Sequence, residues 1–197
     1  MIFSFRNSSL GEYPYISNLS PEGKQILFAK SGKNNEIWIK DITSNKQPEL
    51  LFNSDANLRS PAFSPDGKLI SYRSDEVDGK FKLFVRSYPV NNDKIQVSVD
   101  DGYYAQWAPD NKEIFYRDGD KIMAAKIELK PELSVISRRL VSNAVQVNFT
   151  SSQSDFAVTP DGRILLLKSA IDQSKPIKVN VIVNWFAELK EKLEQNY

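Results

Sequence analysis

The chain has 197 residues, enough for one large domain or two small ones. Its 26 basic and 25 acidic residues leave a net charge of +1, without the surplus of Lys and Arg that a nucleic-acid surface needs. It has no Cys and no His, which excludes disulfides, thiol nucleophiles, Ser-His-Asp catalysis and His- or Cys-ligated metal sites. No apolar run reaches the ~18–20 residues of a membrane span, and residues 1–10 do not read as a secretory signal.

In chain order, residues 2–5 (IFSF) come first and read as a lone outer strand. A short phrase then recurs four times: Ser20-Pro21-Glu22-Gly23, Ser64-Pro65-Asp66-Gly67, Ala108-Pro109-Asp110-Asn111 and Thr159-Pro160-Asp161-Gly162. The prolines lie 44, 44 and 51 residues apart. Pro presets φ for a turn, Asp or Glu suits the next place, and Gly or Asn accepts the positive φ that closes it. An apolar strand is expected after each turn, at 24–30, 68–74, 112–117 and 163–168. A second strand is expected at 36–42, 81–88, 121–128 and 177–183, and weaker outer strands near 49–52 and 137–141. Another strand precedes each phrase, at 13–18, 58–63, 103–107 and 155–158.

A period near 40–45 residues with four strands per unit is that of a propeller blade. The expected fold class is therefore all-β: a propeller of four units, spanning about 13–53, 57–99, 102–142 and 154–183 within residues 1–183. The fourth unit lacks an outer strand, which residues 2–5 could supply in a closed four-bladed ring. The alternative, preferred here, is the C-terminal part of a larger propeller, whose open edges would favour a homodimer. Residues 184–197 form the one stretch of helical periodicity, with Trp185, Leu189 and Leu193 on one face, and read as a short C-terminal helix over the last blade.

The strands that precede the phrases would line a central channel. Tyr13, Tyr15, Arg59, Tyr103, Tyr104 and Gln106 fall where those strands meet the loops of one face. Tyr and Arg combine contact area with a polar handle, so these six are the candidate binding residues. Trp38 and Trp107 read as packing between blades, and Arg138-Arg139 as a solvated pair on an outer strand. The acidic stretches 75–79 and 118–120 lack the alternating ligand layout of a calcium loop and read as hairpin turns. No metal site and no cofactor is expected.

The phrase with its following strands, as in Ser64-Pro65-Asp66-Gly67-Lys68-Leu69-Ile70-Ser71-Tyr72 and Ile37-Trp38-Ile39-Lys40-Asp41, resembles the WD-like repeats of TolB-like β-propellers. The resemblance covers most of the chain. Residues 107–124 and 181–190 are similar to the end of propellers fused behind bacterial serine/threonine kinase or winged-helix domains. It implies a non-catalytic module that binds a protein partner or a small ligand at its channel face. It also implies alternatives: a sensor domain of a kinase, a gating propeller of a serine peptidase, or an envelope protein. No nucleic-acid partner and no membrane span is expected, and the ligand is not named by the sequence.

Overall fold

The computed structural model describes residues 15–30, 35–143 and 156–166. They form antiparallel sheets in which each strand pairs with its neighbour in sequence. The first sheet holds β1 (Tyr15–Leu19), β2 (Gln25–Lys30), β3 (Asn35–Asp41) and β4 (Glu49–Ser54). The second holds β5 (Leu58–Phe63), β6 (Leu69–Ser74), β7 (Lys82–Ser87) and β8 (Lys94–Gln96). The third holds β9 (Tyr103–Trp107), β10 (Glu113–Asp118), β11 (Lys121–Glu128) and β12 (Ser134–Asn143). β13 (Phe156–Val158) and β14 (Ile164–Leu166) pair in a fourth. The outer strand β8, only three residues long, has no counterpart among the strands read from sequence. Residues 1–5, 177–183 and 184–197, read above as strands and a helix, lie outside the described residues.

The recurring phrase makes the same turn four times. Its last residue donates to the carbonyl of its first at 2.8 Å (Gly23–Ser20), 2.9 Å (Gly67–Ser64), 3.1 Å (Asn111–Ala108) and 2.9 Å (Gly162–Thr159). That last residue has φ of 70°, 70°, 62° and 82° in turn, the left-handed region that Gly and Asn tolerate. Ser20 and Ser64 lock their turns by accepting from the N–H of Gln25 (3.0 Å) and Leu69 (2.9 Å). Ala108 cannot do this. Instead Asn111 turns its amide oxygen onto the N–H of Asp66 at 2.7 Å, tying the third turn to the second.

Successive side chains along a strand point to opposite faces, and here both faces are buried. Phe84 joins Leu27, Ile37, Leu58 and Tyr72 in a core between the first and second sheets. Its neighbours Leu83 and Val85 join Ile114, Tyr116 and Ala125 in a core between the second and third. Phe115, Ile122 and Phe156 form the next, between the third and fourth. A sheet sandwiched on both sides by its neighbours, over and over, is the packing of propeller blades. Trp107 packs in the second of these cores and donates to the Ser71 hydroxyl at 3.2 Å, joining two blades as expected. Trp38 stacks its ring on Phe28 of its own sheet and donates its indole N–H to Glu36; what meets this face from another blade lies outside the described residues. The arginine pair on the outer strand β12 is exposed, as expected, and is engaged as well. Arg138 donates to the Val97 carbonyl at 2.6 Å in the second sheet, and Arg139 grips Glu113 through two bonds of 3.1 and 2.7 Å.

The first strands of the sheets form the inner edge. β1 lies beside β5, and β9 beside β13. Asn18 and Gln106 stitch them. Asn18 accepts from the Phe63 N–H at 3.1 Å. Gln106, three residues before its turn proline as Asn18 is before its own, donates to the Phe156 carbonyl (2.7 Å) and accepts from the Val158 N–H (3.0 Å). β5 has Ala62 at that place, and there β9 packs instead against β6 and β7.

Candidate functional site

The ends of β5 and β6 remote from the turn meet the start of β9, and it is here that the inner strands depart from regular pairing. A straight count outward from the Phe63–Ile70 pair would set Arg59 opposite Ser74. The register slips between Arg59 and Ala62, and Arg59 pairs with Arg73 instead. β9 slips in the same place, so that Tyr103 pairs with Arg117. The slips coincide with positive φ at Ser60 (51°) and Tyr104 (54°). A bulky residue such as Tyr in that region carries strain of about 1–3 kcal/mol. Bulges of this kind re-aim side chains at the rims of sheets.

The result is two guanidinium groups on directly opposed residues, walled by aromatic rings. Arg73 lies 3.9 Å from the centre of the Tyr103 ring and 4.8 Å from that of Phe81, and Arg59 lies 5.5 Å from Phe81. Tyr103 and Tyr104 sit ring against ring at 6.1 Å. Arg59 is exposed, whereas Arg73, Phe81, Tyr103 and Tyr104 are half-buried. Burial lowers the Arg73 pKa from its ordinary value, Tyr103 counters this, and Arg59 adds to it. Arg73 nonetheless stays a cation at any working pH.

What sets these two apart is that neither reaches a carbonyl or a carboxylate among the described residues; Arg73 has the Tyr103 side chain beside it instead. The other described arginines all reach one: Arg86 that of Asn91, Arg117 that of Gly119, Arg138 that of Val97, Arg139 those of Glu113, Arg163 that of Asp161. Among the described residues no carboxylate pairs with Arg59 or Arg73. The Arg73 Nε is buried without a hydrogen-bond partner. Like charges directly opposite on a sheet are destabilising, and here the described chain sets aromatic rings beside them but no carboxylate against them.

The floor of this mouth is firmly held. Gly102 N–H donates to the Phe81 carbonyl at 3.1 Å, and the backbone there runs so close to β7 that a Cβ on Gly102 would lie 2.2 Å from the Leu83 nitrogen. The buried Lys82 ammonium holds the Val99 and Asp100 carbonyls (2.8 and 3.3 Å) and pairs with Asp78 at 3.0 Å. Asp75 accepts from the Asn57 backbone (2.7 Å) and side chain (2.6 Å), and Asp118 from the Asp101 N–H (3.0 Å). The two acidic stretches thus serve as hairpin turns and loop clasps. Among the described residues no group of three or more acids is placed to hold a metal.

Of the six residues picked from sequence, Arg59, Tyr103 and Tyr104 come together at this mouth. Gln106 lies deeper and is occupied in stitching β9 to β13. Tyr13 and the side chain of Tyr15 lie outside the described residues. Arg73 and Phe81 were not picked. Arg73 reads as one polar residue in an apolar strand, and only the bulge brings it opposite Arg59. At the other end of the blades a cleft of about 270 Å³ opens between the first two sheets, lined by Pro21, Phe63 and Tyr88 among others. Several of its polar groups are already engaged: Tyr88 donates to Gln25, and Asp41 accepts from Thr43.

The TolB of Acinetobacter baumannii superposes with a TM-score of 0.56 at 19% identity, over 79% of this chain and 37% of that one. A TolB structure from Agrobacterium tumefaciens gives 0.50 at 15% identity, over 66% of this chain and 50% of the other. The fold is a TolB-like β-propeller. In sequence, the chain is similar to Dipeptidyl-peptidase 5 of Porphyromonas gingivalis, 31% identical over 115 residues. That match takes in 49% of this chain and 16% of the peptidase, so the chain spans about a sixth of that relative and half or less of the two TolB structures. No protein-family model matches the sequence. Among the described residues no helix is long and apolar enough to cross a membrane.

Proposed function

We propose that this chain is a non-catalytic propeller module that binds a protein segment at the mouth formed by β5, β6 and β9. One observation carries the reading: the blades repeat their turns, cores and stitches, yet at this mouth the second blade sets two arginines without a carboxylate partner against aromatic rings. Val77 and Val99, each 58% exposed, flank it on the neighbouring loops and offer apolar contact. Arg and Tyr between apolar contacts are the makings of a hot spot. The test is a displayed peptide library panned against the chain. Peptides selected on the wild type should lose binding to a Val77→Asp/Val99→Asp variant and keep it to Leu19→Asp, a control near the opposite end of the blades. Selection of no peptide, or equal loss with both variants, refutes the reading.

A second reading is supported by the likeness to Dipeptidyl-peptidase 5: an accessory propeller that admits peptides to a hydrolase domain. The chain itself holds no His for a Ser-His-Asp triad. A reading frame continuous with a hydrolase domain bearing a Ser nucleophile would favour it. A frame continuous with a kinase or DNA-binding domain would refute it.

A further inference from the structure

We infer that the Arg59–Arg73 pair is a binding site for a carboxylate group of a peptide. The inference rests on the binding reading above and adds the chemistry of what is bound. Two guanidiniums on opposed residues repel, and a cross-strand Cβ spacing of about 5 Å lets both side chains reach one anion. A carboxylate presents two in-plane oxygens that match the planar fork of Arg bond for bond. Neither guanidinium has a carboxylate partner among the described residues, so both keep their charge available to an incoming anion. Phe81 and Tyr103 cover the guanidinium faces, which leaves their edges, where the N–H groups are, to meet the ligand.

The surroundings argue for a single negative charge. Asp75, Glu76, Asp78, Asp100, Asp101 and Asp118 lie on the loops at this end of the blades. Four of them are engaged: Asp75 with Asn57, Glu76 with Lys94, Asp78 with Lys82, and Asp118 with the Asp101 backbone. A doubly charged phosphate would meet more repulsion from this rim than a carboxylate does. The exposed Val77 and Val99 beside it suit the apolar part of a peptide better than a bare ion.

The experiment uses isotopically labelled full chain and follows the backbone amides of Arg59, Tyr103 and Tyr104. Four probes are titrated: an acetylated trialanine with a free C-terminal carboxylate, the same peptide amidated, an acetylated and amidated Ala-Asp-Ala, and inorganic phosphate. The inference expects saturable shifts with at least one carboxylate peptide, and none with amidated trialanine. The free-acid trialanine and Ala-Asp-Ala arms tell a chain terminus from an acidic side chain. Arg59→Gln, at an exposed position, should weaken the binding about tenfold or more, and Arg59→Lys should restore only part of it. Arg73→Gln should abolish it, and unchanged amide dispersion shows whether that variant is folded. Equal binding of amidated trialanine at the same amides would overturn the carboxylate assignment and leave the binding reading standing. Tighter binding of phosphate than of either carboxylate peptide would overturn it too. No saturable shift with any probe overturns it as well, and the peptide-library test then decides the broader reading separately.

Discussion

Replacing Gly102 by Ala tests how the mouth is built. Gly102 has no unusual φ; its role is close approach. The new Cβ would stand 2.2 Å from the Leu83 nitrogen, 2.7 Å from its Cβ and 2.9 Å from its Cα. These are backbone and near-backbone atoms of a strand buried between two sheets, so they cannot swing away. The segment carrying Gly102 has to lift. Overpacking of this kind costs about 1–3 kcal/mol, and the Gly102–Phe81 hydrogen bond, worth about 1 kcal/mol, is lost with it. The sum is about 2–4 kcal/mol, a fall in melting temperature on the order of 10 °C. Gly79→Ala is the control: φ is +78° and nothing lies within 4 Å of the added carbon, so its cost is the backbone conformation alone, about 1–2 kcal/mol. Urea unfolding of both variants reads the difference. Because Tyr103 follows Gly102 directly, Gly102→Ala should also weaken peptide binding at the mouth, and Gly79→Ala should not. A Gly102→Ala variant no less stable than Gly79→Ala would refute the reasoning.

Three further outcomes are expected. Leu83→Ala empties a fully buried site between the second and third blades and should cost about 2–5 kcal/mol by urea titration. Gln106→Leu leaves the Phe156 carbonyl and the Val158 N–H without their partner, at about 1–3 kcal/mol for each buried group, and should speed hydrogen exchange at Val158 while leaving Phe63 unchanged. Partial burial pushes the Asp66 carboxyl up, but the Ser64 hydroxyl and the Lys68 N–H outweigh it and hold it below its ordinary value. A carboxyl whose folded pKa lies below its unfolded one stabilises fully above the unfolded value, about 4, and that gain disappears as pH falls through the folded value. Acid unfolding of Asp66→Asn should therefore show a shallower loss of stability below about pH 4 than the wild type.

The turns and the strands they launch were open to sequence reading because each is set by local chemistry: a fixed φ at Pro, a positive φ at Gly or Asn, and alternating apolar residues. The outer strand β8 escaped because three residues with one large apolar side chain, Ile95, carry no period. Arg59, Tyr103 and Tyr104 could be picked because they begin inner strands. Arg73 and Phe81 could not, since their meeting with Arg59 depends on a register slip and on where β9 lands against β7, both of which are long-range.

That same slip explains how a repeated scaffold carries the arginine pair on one of the three blades described at this position. The equivalent cross-strand pairs are Tyr15–Ala29 in the first sheet, Arg59–Arg73 in the second and Tyr103–Arg117 in the third. The backbone device recurs at all three, so packing demands a bulge there but no particular side chain. Arg117 donates from its Nε to the Gly119 carbonyl of its own hairpin. Arg73 has no such outlet: its strand is followed by the longer turn at 75–79, whose first residue is engaged with Asn57. Tyr103 from the next blade fills the space beside it instead. A repulsive pair at a position the scaffold leaves free is retained at a cost to stability. Phe81 and Tyr103 stack on these cations, but among the described residues no carboxylate pairs with them, which is why an external anion is the economical account of it.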